Sequence, residues 1–313
     1  MSDKRYRKYA DYGPEGIYPK TLHGEFDPTN NCEVPPTLDE QIKIVWSQLL
    51  EKRPRLHDSD ILNLTGIADG GYTLEFGHVP FRTYYVLWLS LRNATVAREI
   101  KLTTEQRAFL QRHLHATASH LAIVSENEVL LGRKPIEGGY WIDSPGSGYL
   151  DTTHDTTHSN GICPFDQIIR REVKEELAIL DLVEDINCLG VFSEETDGIA
   201  INPAVLSVAR VEAPPSEILC RARGAEDSWE FEELFSVPFS DKRAIESIIV
   251  EGSVQSEVSS YLEEARYTTT PLAPKTPLLL ALTGRQKYGP AWFQSIVEES
   301  GFEVTTGTIK REK

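Results

Sequence analysis

Glu172, Glu175 and Glu176 stand at i, i+3 and i+4 in the stretch Arg171-Glu-Val-Lys-Glu-Glu-Leu-Ala-Ile179. On a helix that spacing puts three carboxylates on one face. Three like charges held together are stable if solvated, or if a cation sits among them. A hard divalent ion such as Mg²⁺ takes oxygen ligands and keeps waters, which leaves room for a substrate phosphate. Arg171 can pair with Glu175 at i+4, so Glu172 and Glu176 are the first candidate ligands and Glu175 the third ligand or a base. The alternative reading is an acidic, solvated helix face.

The elements that must position these groups can be read nearby. Phe165, Ile168, Ile169, Val173, Leu177 and Leu180 follow the 3, 4 spacing of a buried helical stripe. Pro164 suits a helix start, and Asp166 suits the positive end of the helix dipole. Upstream, residues 121–133 read as two β runs around a polar turn at Glu126-Asn-Glu128. Gly139 to Gly146 reads as a strand that ends in a Pro-Gly turn.

Strand, hairpin, strand, Pro-Gly loop and acidic helix is the order found in Nudix hydrolases. Arg171-Glu172-Val-Lys-Glu175-Glu176 resembles the second half of the Nudix box. The first half departs from it. Cys163 stands at the box's Glu position, Thr157 at its Gly position, and Ala178 where a late Gly is usual. Pro145-Gly146 resembles the family's Pro-Gly-Gly turn, with Ser147 as the second Gly. The following loop is then about ten residues longer than in an intact box, with 151–161 as a polar insertion. His154 and His158 in that loop could suggest zinc; a solvated loop is the preferred reading.

The chain resembles one branch in particular, the UDP-sugar-hydrolysing Nudix proteins, which carry an extra N-terminal domain and keep only the second half of the motif. The resemblance runs from about residue 32 to about residue 290. It is carried by Ile44-Val-Trp46 with Pro54–Asp58, by Leu74–Tyr84, by Trp141–Gly146, by Glu230–Val237 and by Pro277–Leu282. It implies an α/β/α sandwich with a mixed sheet, preceded by a smaller α+β domain. It implies Mg²⁺, or Mn²⁺ in its place, held by Glu172, Glu175 and Glu176. It also implies cleavage of a UDP-glucose-like pyrophosphate to UMP and sugar 1-phosphate. Two other readings stay open: a Nudix pyrophosphatase for another substrate such as ADP-ribose, and a catalytically silent module that binds a nucleotide or a protein.

Further residues are drawn in beside the helix. Glu230, placed on a late strand by the resemblance, could orient water; the alternative is an exposed strand-end acid. Arg133 could contact phosphate, or be a surface arginine. Gly146 would bring backbone to the substrate. Phe81, Arg82 and Tyr84 could stack on a uracil and bond the pyrophosphate, or form a core aromatic pair with one exposed arginine.

Composition bounds the partners. The 313 residues carry a net charge of −16, which opposes binding to a nucleic acid but not to a small nucleotide. No apolar run of about 20 residues is present, so no membrane span is expected. The N-terminus lacks the pattern of a secretory signal. Cys32, Cys163, Cys188 and Cys220 lack metal spacing and read as reduced thiols. The expected location is the cytoplasm, with the nucleus also open.

The expected organisation is an N-terminal arm over 1–35 that packs loosely or is partly disordered, an α+β domain over 36–114 and a catalytic domain over 115–313. Helices are predicted over Thr37–Lys52, capped by Thr37 and Glu40, and over Thr104–Ala116, Asp241–Ile249, Gln255–Arg266 and Pro277 to Gly284 or beyond. Strands are predicted on either side of Asp69-Gly-Gly71 within 61–76, and over Ile186–Phe192, Ala204–Val211 and Trp229–Val237.

Overall fold

Alternation of apolar side chains on the strands decides the architecture. Along 121–124, Leu121 and Ile123 point into one core, and Ala122 and Val124 into another. Val205 and Ala209 face the first core, Leu206 and Val208 the second. Strands buried on both faces need a helical layer on each side. The computed structural model describes residues 4–136, 138–156, 161–258 and 266–309.

In chain order the elements are β1 (Arg5–Asp11), β2 (His23–Asn31), α1 (Pro36–Lys52), β3 (Asp60–Ala68), β4 (Thr73–Pro80), α2 (Phe81–Ser90), α3 (Ala94–Glu99), α4 (Thr104–His113), β5 (Ala118–Ser125), β6 (Glu128–Ile136), β7 (Gly139–Asp143), β8 (Gly148–Tyr149) and β9 (Ile162–Cys163). There follow α5 (Phe165–Leu177), β10 (Val183–Glu195), β11 (Pro203–Val211), α6 (Pro215–Ala222), β12 (Glu233–Pro238), α7 (Lys242–Glu251), β13 (Ser253–Val258), β14 (Arg266–Pro271), α8 (Thr276–Tyr288), α9 (Pro290–Glu299) and β15 (Glu303–Thr306).

The main sheet runs β12-β6-β5-β11-β10-β1-β15, with β7 beside β6 and β8 beside β5. It is mixed: β5 and β11 are parallel, as are β1 and β15, and the other pairs are antiparallel. Helices α5 and α6 cover one face, and α7, α8 and α9 the other. A second sheet runs β3-β4-β2-β9. Its Ile61 and Val79 face α1, α2, α3 and α4, while Leu62, Leu64, Leu74 and Phe76 join the core around α5. Helix α5 is therefore wedged between two sheets. Phe165 meets Phe76 at 6.2 Å between ring centroids.

Several expectations change. Residues 5–11 are not a loose arm. They form an interior strand of the main sheet, with Tyr6 only 2% exposed and its hydroxyl donating to the Pro274 carbonyl at 2.9 Å. The strand is polar on one side and short, so its periodicity was too weak to read. Residues 23–31 likewise pair with β4 and β9. Helix α1 starts at Pro36 with no side-chain cap, and the capping box forms instead at Thr103 and Gln106 of α4. Residues Phe81–Ser90 are a helix that was not foreseen. Of the stretch expected as a helix over Gln255–Arg266, residues 255–258 and Arg266 belong instead to the β13–β14 pair, whose Val254, Thr269 and Thr270 favour a pleated surface, and residues 259–265 lie outside the described residues.

Because β1 lies between β10 and β15, Tyr6→Ala is expected to cost about 3–5 kcal/mol in urea unfolding, as for other large aromatic deletions in a core. A chain beginning near His115 should fail to give a cooperative unfolding transition.

Candidate metal and phosphate site

The acidic helix starts at Pro164, with Asp166 in its first turn accepting from Arg170 at 3.1 Å. It ends at Ala178, which adopts φ +54°. A glycine would take that left-handed conformation with less strain, and glycine is the usual residue there in the resembled motif.

Burial separates the three carboxylates. Glu172 is 7% and Glu176 3% exposed, whereas Glu175 is half-buried. The Pro145–Gly148 loop lies directly against the first two. Gly146, at φ +80°, donates its N–H to Glu176 Oε2 at 2.6 Å. A Cβ on Gly148 would lie 2.5 Å from the Glu172 carboxylate, so any larger residue there would have to displace that carboxylate. The Pro-Gly turn and the acidic helix, separated by the polar loop in sequence, form one surface.

Two cations serve this surface. Arg171 donates to Glu175 Oε2 at 2.8 Å, contacts Glu172 Oε1 at 2.8 Å and holds both oxygens of Asp155 at 3.1 and 2.9 Å. Asp155 is 1% exposed and comes from the polar loop after the Pro-Gly turn. Lys134 donates to Glu230. Burial works against the Lys134 ammonium, but Glu230, Glu176 and Asp143 outweigh it and push its pKa up.

Burial raises the Glu172 pKa to about 7, opposed by Arg171 and assisted by Asp155, Glu175 and Glu230. Burial also pushes Glu176 well up, against Lys134 and with Glu230 and Glu172. Near neutral pH the Glu172 carboxyl is poised between proton and cation, and burial favours the protonated form of Glu176 as well. Removing water without full compensation is costly, and a bound cation supplies the missing charge.

A divalent ion fits this donor chemistry. Among the described residues, however, no group of three or more His, Cys, Asp or Glu is already arranged to hold one. Glu175 is committed to Arg171 and sits apart from the buried pair. Two carboxylates plus substrate oxygens and water are an ordinary Mg²⁺ shell.

Of the other expected site residues, Glu230 stays beside this surface through Lys134, and the rest are dispersed. Glu230 lies in a short helical turn before β12 rather than on the strand, because β12 pairs with β6 only from Glu233. Arg133 pairs with Glu232 at 2.8 Å and lies over Tyr140. Tyr84 is fully buried, and its hydroxyl meets that of Tyr149 at 2.7 Å, so no base can stack on it. Phe81 stacks on Tyr85, and Arg82 binds Asp58. Later on α2, Trp88 and beyond it Arg92 instead reach Glu194 of β10, at 3.4 and 3.2 Å. His154 is exposed and pairs with Asp151; His158 and Thr157 lie outside the described residues.

Lys134 and Asp155 were not singled out from the sequence. Lys134 adjoins Arg133, and only its pairing with Glu230 shows that the lysine is the one near the acids. Asp155 offered no signal beyond being one acid in a polar loop. No described helix is long and apolar enough to cross a membrane.

No family model matches this sequence, and no curated protein does either. Among solved structures, one chain similar to this one is the crystal structure of Tm1382, described as a candidate Nudix hydrolase. It is 12% identical, with a TM-score of 0.28, over 48% of this chain and 76% of that one. A likeness of that size says nothing of the chemistry, which rests on the residues themselves.

The buried acids predict a pH effect on stability in the absence of divalent ions. Glu172 has a folded pKa of about 7 against 4.5 ordinarily. Folding is then linked to proton uptake. Its stabilising share is full below about 4.5 and is lost as pH rises through about 7. The Tm in EDTA should therefore fall between pH 5 and 7.5, and Glu172→Gln should flatten that fall. Added Mg²⁺ should raise Tm more at pH 7.5 than at pH 5.5, because protons compete for the same oxygens.

Proposed function

We propose that the chain is a metal-assisted hydrolase of a nucleoside diphosphate derivative, with a UDP-sugar of the UDP-glucose kind as substrate and UMP and sugar 1-phosphate as products. The observation that carries this is the pair Glu172 and Glu176. They are buried one turn apart, with raised pKa values, against a loop whose Gly146 and Gly148 bring the main chain within reach. Burying two acids side by side is costly unless a cation and an anionic ligand complete the site. The same residues carry the resemblance to the Nudix box.

Glu172 and Glu176 would hold Mg²⁺ or Mn²⁺, which when bound polarises phosphate oxygens and acidifies a water. Glu175 is the outermost carboxylate and the one best placed to accept a proton from water at the mouth of the site. Arg171 keeps it oriented and screens it from Glu172. Glu230 acts through Lys134, whose ammonium lies between Glu230 and Glu176 and can meet a phosphate oxygen. Arg133 is the next cation along β6 and contacts phosphate if it leaves Glu232. A division into residues 36–114 and 115–313, both needed for substrate binding, belongs to the same proposal. Cytoplasmic function on a small soluble nucleotide fits the charge of −16.

The silent binding module remains a second reading. It is favoured by one feature, the pairing of the acids with Arg171 and Lys134 instead of an open three-carboxylate cage.

Glu176→Gln keeps the side chain's shape and its bond from Gly146. It should lower turnover by at least 10²-fold while leaving Tm within a few degrees; unchanged turnover would sink the metal site. Substrate choice is checked by phosphorus NMR of products from UDP-glucose, ADP-ribose and dinucleoside polyphosphates with Mg²⁺. AMP from ADP-ribose, with UDP-glucose intact, would select the other pyrophosphatase. No product from any of them would favour the silent module.

A further inference from the structure

A second polar cluster centres on Glu194 of β10. Glu194, 6% exposed, accepts from Arg92 and Asn202 at 3.2 Å each and from Trp88 at 3.4 Å, and pairs with Lys275 at 2.8 Å. Lys275 and Asn202 are each 4% exposed. Burial disfavours the Glu194 charge, but Lys275 and Arg92 outweigh it and hold its pKa below the usual range. The group stays a carboxylate between two cations.

An ion cluster of this kind is a weak source of stability, because its desolvation cost offsets its attraction. It is also incompletely satisfied. Among the described residues, Arg92 Nε and Asn202 Oδ1 are buried without a hydrogen-bond partner, as is His120 Nδ1. Burial, then Lys275, lowers the His120 pKa to about 4, so this imidazole is neutral. The unmatched atoms therefore include both a donor and acceptor capacity, beside a carboxylate that still accepts. Buried polar atoms left in this state call for a ligand or water.

The set selects among ligand chemistries. A second anion would be matched by the cations but opposed by Glu194. An apolar group would leave every polar atom unpaired. A hydroxyl is donor and acceptor together, and adjacent hydroxyls can bridge a carboxylate, an amide oxygen and a guanidinium at once. Trp88, half-buried, meets Trp141 edge-on at 5.7 Å and supplies an apolar wall for a ring's C–H face. Trp141 is the β7 partner of Lys134, which connects this wall to the acidic helix.

We propose that Glu194, Asn202 and Arg92, backed by Lys275, form the pocket that reads the vicinal hydroxyls of the substrate's uncharged sugar ring. Its place in a reaction rests on the phosphate-handling role of the acidic helix; its binding of a diol does not. The ring can be a ribose or a terminal hexose, both of which present adjacent hydroxyls.

The test uses the full chain and measures binding and turnover together. Calorimetry with UDP-glucose in EDTA compares wild type with Glu194→Gln and Asn202→Ala. Both variants should weaken binding at least tenfold. With Mg²⁺, KM should rise by a similar factor while kcat stays within about threefold. Each variant should lose its defect against the analogue lacking the hydroxyl it reads. Lost discrimination against 2′-deoxyuridine diphosphate glucose identifies the ribose, and against UDP-2-deoxyglucose the hexose. Variants that lower Tm but bind every analogue as wild type does would show a structural tie only and overturn the proposal. So would a wild type that binds no nucleotide sugar. Tight binding without hydrolysis would overturn the catalytic reading and leave this one standing. Lys275→Met, which deletes the charge at similar length, should also weaken binding if the variants fold.

Discussion

The structure depends on holding two carboxylates out of water on a helix that is packed from both sides. Helix α5 offers an apolar stripe to the main sheet, and the second sheet closes over the rest of it. Glu172 and Glu176 have nowhere to swing toward bulk solvent. Their surroundings must supply compensation, and they do so unevenly: an amide from Gly146, a shared guanidinium from Arg171, and a lysine that already answers to Glu230. What is left over appears as raised pKa values. That residue of uncompensated affinity for positive charge distinguishes a site from a solvated acidic helix.

The same constraint explains the loops. In the Pro145–Gly148 turn, Gly146 takes a φ of +80° that other residues adopt with strain, and Gly148 lies where a Cβ would crowd the Glu172 carboxylate. The longer loop after it returns Asp155 to Arg171, which gives that guanidinium a third carboxylate and fixes it over the helix. Cys163, where the resembled box has its glutamate, pairs instead into the second sheet through β9.

The N-terminal third is more than an appendage. β1 lies inside the main sheet, β2 joins the second sheet to β9, and α2 sends Trp88 toward Glu194, with Arg92 just beyond the helix. The charges at that junction are buried, and a buried ion cluster is retained for specificity or function more readily than for stability. Trp88 of this junction meets Trp141, the β7 partner of Lys134.

The sequence by itself determined the chemistry of the acidic helix. Helical spacing is local, so Arg171, Glu172, Glu175 and Glu176 could be placed on one face and the Arg171–Glu175 pair foreseen. It also determined the β5–β6 hairpin and the helices α1 and α7, whose periodicity needs no distant partner, and α8 from its unbroken apolar run. Only the tertiary structure decided which acids are buried, because that depends on a second sheet drawn largely from residues 23–80. It decided that β13 and β14 are strands, since their hydrogen bonds are to each other and not to neighbours in sequence. It moved Tyr84 into the core and put Trp88 and Arg92 at the junction, since which face of α2 is covered is set by α1 and Tyr149. Lys134, Asp155, Asn202 and Lys275 carry no motif. Long-range packing alone gives them their roles, because an isolated charge or amide acquires meaning only from the charges that folding brings beside it.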